Sequence, residues 1–125
     1  MNEQIFNQLI EFGTLISNGD SNNTLSFSIL RSSQVFDGHF PNQPILPGVA
    51  MIELVQRATE LVLNEKLELK SAGNFKFLMM IDPDKVSKAI LVFSITPKEE
   101  GWRVKAQIKH NENIYFKADA FYVTK

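Results

Sequence analysis

Three prolines constrain the chain between residues 36 and 57, where the sequence reads F-D-G-H-F-P-N-Q-P-I-L-P-G-V-A-M-I-E-L-V-Q-R. Pro41, Pro44 and Pro47 recur at every third position. Each proline fixes its own φ angle and pushes the preceding residue towards extended backbone, which predicts a stiff, non-helical loop. Pro47 and Gly48 then open an apolar-periodic run, and proline suits the first helical position because its missing N–H needs no partner there. A helix is therefore predicted to begin at about Pro47 or Gly48.

The run after Gly48 has the period of a helix that ends near Leu63. Its apolar positions follow helical spacing and are Met51, Leu54, Val55, Ala58, Leu61 and Val62. The opposite stripe carries Glu53, Arg57, Glu60 and Asn64, and such a polar stripe usually faces solvent. Because more than half of the circumference is apolar, we expect this helix to be wrapped by a sheet.

The segments on either side of this helix predict strands. A short helix is predicted over residues 3–11 and a first strand over 12–17, and residues 17–23 are a dense run of turn formers. Further strands are predicted at 24–30, 70–78, 89–96, 102–109 and 114–123, with turns at 82–84, 97–101 and 111–113. One long helix between a first hairpin and a later antiparallel meander describes an α+β domain.

Length, charge and cysteine content limit the classes of protein that fit. A chain of 125 residues has room for one domain, which we place at 1–125. The net charge is −1 with no charge blocks, so neither nucleic acid nor an anionic membrane is an expected partner. There are no cysteines, no apolar leader at the N-terminus and no metal or dinucleotide motif. We expect a cytoplasmic protein that needs no bound cofactor or metal.

The pattern G-H-F-P-x-x-P-x-x-P-G-V, with an acidic residue fourteen positions after His39, resembles the active-site signature of a known family. That family is the 3-hydroxyacyl-(acyl carrier protein) dehydratases of the FabA/FabZ type. The resemblance covers residues 24–125, more weakly after the helix, and the family's usual arginine- and proline-bearing N-terminal motif is missing. It implies a hot-dog fold, a curved antiparallel sheet around one central helix. It also implies a homodimer or an oligomer of dimers with interfacial active sites, and a substrate on the phosphopantetheine arm of an acyl carrier protein.

Dehydration of a 3-hydroxyacyl thioester needs a base, a donor to the thioester oxygen and an acid. His39 is the candidate base, since an imidazole is partly neutral near pH 7. The N–H of Gly48 is the candidate oxyanion donor, because free amides and the helix dipole favour negative charge at a helix start. Glu53 is the candidate acid, or the residue that orients the hydroxyl or a water. The expected substrate contacts are Phe40, Pro47, Val49, Arg57, Phe75 and Phe77.

Other interpretations of the same residues remain open. A lone histidine can simply cap a loop, and Glu53 lies on a stripe that periodicity places in solvent. Asn42 and Arg57 depart from the family's usual glycine and glutamine, and an ion pair between Arg57 and Glu53 would oppose proton donation. The alternatives are a hot-dog acyl thioesterase, in which Glu53 activates water, and a non-catalytic acyl-binding or heterodimer-forming subunit. In either case His110, before a turn, is expected at the surface.

Overall fold

The computed structural model describes residues 1–18, 22–40 and 42–125, and within them it contains three helices and six strands. The helices are α1 (Glu3–Leu9), α2 (Val35–Gly38) and α3 (Gly48–Leu63). The strands are β1 (Ile10–Ser17), β2 (Asn23–Ile29), β3 (Leu67–Phe77), β4 (Lys88–Lys98), β5 (Gly101–His110) and β6 (Asn113–Thr124). None of the helices in the described ranges is long and apolar enough to cross a membrane.

The six strands form one sheet in the order β1-β2-β4-β5-β6-β3, and every neighbouring pair is antiparallel. Register shifts interrupt the β1–β2, β3–β6 and β5–β6 ladders. Such bulges bend strands and increase their twist, so they favour a curved sheet. One long helix against this sheet is the hot-dog arrangement, which confirms the predicted fold class. The arrangement leaves β1 and β3 as edge strands.

The apolar stripe of α3 forms the centre of the core. Its residues Ala50, Met51, Leu54, Val55 and Ala58 are buried, as the helical period predicts. They share one hydrophobic cluster with inward-facing residues of the sheet, among which are Leu91, Phe93, Val104, Ile108 and Phe116. Burial of each leucine-sized side chain stabilises the fold by about 1.5–3 kcal/mol, so this face determines how α3 is rotated on the sheet.

Leu61 is the exception on this stripe, because its side chain is 51% exposed. It lines a groove of about 620 Å³ together with Phe6 and Ile10. The helical period places Leu61 on the apolar stripe, but at the last turns of α3 this stripe faces the N-terminal segment. Helical spacing alone does not reveal which neighbour covers the end of a helix.

The N-terminal helix and first strand meet two residues earlier than predicted. The side chain of Asn2 caps α1 by accepting a hydrogen bond from the Ile5 N–H at 2.8 Å. The helix ends at Leu9 because Ile10 already pairs with Ile29 in the β1–β2 ladder. Pairing with a distant strand therefore overrides the local helical pattern.

Two local predictions differ from the structure, and a third lies partly outside the described residues. The four-residue helix α2 replaces the turn expected at Asp37-Gly38. Pro97 continues β4 opposite Trp102 and is not part of the turn, so only Glu99 and Glu100 connect β4 to β5. In the predicted turn at 17–23, residues 19–21 lie outside the described residues. The ends of that turn are joined where the Asn18 N–H donates to the Asn22 carbonyl at 2.9 Å.

Candidate active site

Backbone hydrogen bonds fix the loop that carries His39. The His39 N–H donates to the Phe36 carbonyl at the end of α2, at 3.4 Å, and its carbonyl accepts from the Ile45 N–H at 3.0 Å. Phe40 and Gln43 exchange N–H to carbonyl bonds of 3.0 and 3.1 Å, and the His39–Phe40 peptide bond is cis. Pro41 lies outside the described residues. The main chain therefore holds the loop and leaves the imidazole free for another role.

The imidazole of His39 is half-buried and stacks on the ring of Phe40, with 4.6 Å between the ring centroids. Its Nδ1 atom is buried and has no hydrogen-bond partner among the described residues. Buried polar atoms are nearly always paired, so an unpaired one is available to a ligand, a water or a second chain. Capping of the loop through Nδ1 is not a contact of this structure.

The amide of Gly48 stands at the start of α3. Pro47 is the N-cap residue with extended backbone, and no side chain caps this helix end. The first four N–H groups of any helix lack an acceptor inside the helix, and the helix dipole favours negative charge there. A Cβ atom on residue 48 would lie 2.9 Å from Cε1 of Phe77, so a larger residue there would displace that ring.

Exposed apolar side chains gather at this end of α3. The Gly48–Phe77 contact and a 2.9 Å bond from the Leu46 N–H to the Ile81 carbonyl join the segments that carry them. Phe77 also packs against Phe116, at 5.0 Å between centroids. The apolar patch consists of Phe40, Val49, Phe77, Leu78, Met79 and Met80. Patches of this kind mark interfaces or ligand grooves.

The backbone of Glu53 lies about 7.5 Å further along the axis of α3, at a rise of about 1.5 Å for each of the five residues after Gly48. Its side chain is only 18% exposed. The expectation of a solvated stripe is therefore wrong at Glu53. The reason is Arg57, one turn later, whose Nε donates to Glu53 Oε1 at 3.0 Å and is itself covered by α1.

The guanidinium of Arg57 has two further contacts, both on α1. It lies 5.0 Å from the ring centroid of Phe6, and its Nη1 is 3.7 Å from Oε1 of Glu3. Nothing in the sequence pattern pointed to Glu3 or Phe6 as neighbours of the predicted acid. They lie about fifty residues earlier, and only folding brings them there.

The structure thus forms three groups of the predicted residues. His39 and Phe40 lie on the loop, Gly48 contacts Phe77 at the apolar patch, and Glu53 is paired with Arg57. Across the parts of the chain that the structure describes, no hydrogen bond or ion pair joins His39 to Glu53. The same ranges contain no cluster of three His, Cys, Asp or Glu side chains that fits a metal ion.

Residues 16–118 match the family model of the ApeI-like proteins, which is described as ApeI dehydratase. The chain belongs to the ApeI-like dehydratase family. A FabZ 3-hydroxyacyl-(acyl carrier protein) dehydratase from Erythrobacter litoralis is 36% identical over 62 residues, which are 50% of this chain and 41% of that protein. The match thus spans less than half the length of that relative, and it agrees with the FabA/FabZ-like resemblance predicted from the motif.

Solved structures share the fold of this ApeI-like chain. A chain of the dehydratase heterocomplex ApeI:P from Xenorhabdus doucetiae superposes with a TM-score of 0.67 at 18% identity, over 90% of this chain and 96% of that one. A putative thioesterase from Ralstonia eutropha gives 0.69 at 8% identity, over 99% and 92%. Identities this low establish the hot-dog fold alone, and one fold serves several reactions.

Sequence reasoning missed Tyr122 of the ApeI-like chain, which looked like any inward residue of the last strand. The side chain is buried, and its hydroxyl has no hydrogen-bond partner among the described residues. Burial raises the pKa of Tyr122 well above its usual range, and the negative charges of Glu53 and Glu60 raise it further. The hydroxyl therefore stays protonated, close to the α3 carboxylates.

We expect Tyr122→Phe to leave the free energy of unfolding unchanged or to raise it by up to about 1 kcal/mol, because it removes an unpaired buried hydroxyl and keeps the ring. Urea denaturation of the two proteins measures this difference. A loss of more than about 1 kcal/mol would show that the hydroxyl is paired in solution.

Proposed function

We propose that this chain dehydrates a 3-hydroxyacyl thioester, carried by an acyl carrier protein, to the trans-2-enoyl thioester. The observation that carries the proposal is a loop-held imidazole whose buried Nδ1 is unpartnered among the described residues; the helix start that follows this loop has no side-chain cap. Membership of a dehydratase family and the FabZ relative support the same reaction. The pathway that uses the product is fatty-acid or related lipid or polyene synthesis, as the resemblance implies.

Each residue has one part in the proposed reaction. His39 accepts the proton from the α carbon, and the electron pair of that bond forms the new double bond. The Gly48 N–H donates to the thioester oxygen as negative charge grows there. The bond from the β carbon to its hydroxyl breaks and water leaves. Glu53 either gives that hydroxyl the proton it needs to leave as water, or orients the hydroxyl while the protonated His39 gives that proton.

A second chain completes the site in this proposal. One side of β3 is an unpaired edge, and the exposed apolar patch lies at the end of the same strand. Unpaired edges and apolar patches are both surfaces that natural proteins cover. In a symmetric dimer, Glu53 of one chain would face His39 of the other. The related ApeI:P structure is a heterocomplex, so a different hot-dog chain is the alternative partner.

The acyl chain would lie in the apolar surroundings of the helix start. Phe40, Val49 and Phe77 are exposed there, while Pro47 is buried and Phe75 is half-buried against Phe116. These side chains offer apolar contact area next to the Gly48 amide. Arg57, which was also an expected substrate contact, is engaged with Glu53 and α1 instead of being free.

Thioester hydrolysis is the second candidate. The observation that favours it is the contact of Glu53 with Arg57, because a carboxylate bonded to a guanidinium is suited to accept a proton from a water. The putative thioesterase of similar fold is consistent with it. The two reactions have different products, so one assay separates them.

Mixing the protein with a 3-hydroxyacyl carrier substrate should yield the absorbing enoyl product and no free thiol. His39→Ala should lower kcat by about 100- to 10,000-fold, since the base is lost. His110→Ala, which changes the other histidine at the end of β5, is the matched control and should keep full activity. Release of free acid and thiol would establish hydrolysis in place of dehydration.

A basic depression on the outer face of the sheet supports an acidic carrier as partner. Lys76, Lys105 and Lys117 line it, and its volume is about 450 Å³. None of the three forms an ion pair within the described residues, while the nearby Asp119 is already bonded to Arg103. Guanidinium hydrogen bonds hold the pKa of Asp119 below its usual range, so Arg103 neutralises the negative charge of Asp119. The depression therefore has a surplus of positive charge next to β3.

Replacing Lys76, Lys105 and Lys117 together by glutamate should raise KM for the carrier-bound substrate by about 10-fold or more, because like charges repel the carrier. Activity on a short thioester without a carrier should be unchanged. Glutamates at Lys66, Lys98 and Lys125 make the same change in net charge elsewhere and serve as the control. Equal effects of the two triple variants would contradict docking at the depression.

A further inference from the structure

We infer that Arg57 is a positioning residue that acts on the reaction through Glu53, and that α1 is the support on which Arg57 rests. This inference deepens the proposed function and rests on it. The juxtaposition that carries it is a half-buried carboxylate, a guanidinium and the N-terminal helix stacked in that order on one side of α3.

The Arg57–Glu53 pair differs from the other ion pairs of the described residues in its burial. Both of its side chains are 18% exposed, against 50% and 55% for Arg31–Asp84 and 47% and 31% for Arg103–Asp119. Solvent screens exposed pairs, and holding two mobile side chains together offsets most of their gain. A pair that is largely withdrawn from water is screened less, so Arg57 restrains Glu53 far more than a surface arginine would.

The support from α1 explains why Arg57 is itself fixed. Phe6 is buried in the core, and its ring lies under the guanidinium at 5.0 Å. Glu3 adds a weaker contact at 3.7 Å, and Asn2 caps the same helix. A seven-residue helix is unstable by itself, so α1 persists because it is docked here. An aromatic face and a carboxylate together orient the flat guanidinium towards Glu53.

The charges around the Arg57–Glu53 pair favour Glu53 as the residue that orients the substrate hydroxyl over Glu53 as its proton donor. Glu3 on α1 and Glu60 on α3 are the other acids near the pair. The Tyr122 hydroxyl on β6 stays protonated, because burial raises its pKa and the charges of Glu53 and Glu60 raise it further. Arg57 is the only cation in contact with Glu53 within the described residues. A carboxylate bonded to a guanidinium is an acceptor with a fixed direction, which suits orienting the hydroxyl. If the Glu53 carboxylate loses its fixed orientation, kcat should fall and substrate binding should stay nearly unchanged.

The test is a double-mutant cycle on kcat and KM in the full-length protein. Arg57→Gln should lower kcat by about 10-fold with KM changed by less than about 2-fold, since positioning acts after binding. Arg57→Lys keeps the charge and should recover kcat to within about 3-fold of the wild type. In the Glu53→Gln background, Arg57→Gln should add less than about 2-fold, because its effect passes through Glu53.

Arg31→Gln is the matched control, since it breaks the surface arginine–carboxylate pair with Asp84 and should leave kcat and KM unchanged. Circular dichroism gives the folded fraction by which each rate is normalised. If Arg57→Gln unfolds, the cycle is measured with Arg57→Lys instead. Additive losses, or a loss confined to KM, would overturn the inference while dehydration by the wild type stands. If the wild type hydrolyses the thioester, dehydration is refuted and the same cycle still tests Arg57. No turnover of either kind overturns both.

Discussion

Burial of one face of α3 against the sheet is the interaction on which the other features depend. Ala50, Met51, Leu54, Val55 and Ala58 are all buried on it, so the helix has a single rotation that the core accepts. That rotation sends Glu53 and Arg57 to the side covered by α1. It also leaves the uncapped amide of Gly48 at an apolar patch on the surface. A packing requirement thus fixes where charge can be stabilised.

The two ends of the proposed chemistry are held by different kinds of interaction. Backbone hydrogen bonds and prolines hold His39, whereas an ion pair and an aromatic ring on α1 hold Glu53. Within one chain the two sets of interactions are independent, and no contact joins His39 to Glu53 in the described ranges. We propose that a symmetric pair of chains with their β3 edges together brings the two groups to one substrate.

Features that depend on the local sequence pattern were predictable. Burial by elements that are distant in the sequence was not. The proline loop, the start of α3 and the alternation of β5 and β6 follow from φ restriction and from periods of 3.6 and 2. The burial of Glu53 does not, because it comes from α1, about fifty residues earlier. The exposure of Leu61 was not predictable either, because the helical period does not show where the sheet that covers the helix ends.

Mixed dimers test the central claim, that two chains share each site. His39→Ala and Glu53→Ala are each inactive by this account, but in a mixed dimer one of the two sites contains neither change. Co-expression of the two variants should therefore restore about one quarter of wild-type activity, since half of the dimers are mixed and each has one intact site. Activity that stays at the level of the separate variants, with mixed dimers present, would contradict a shared site.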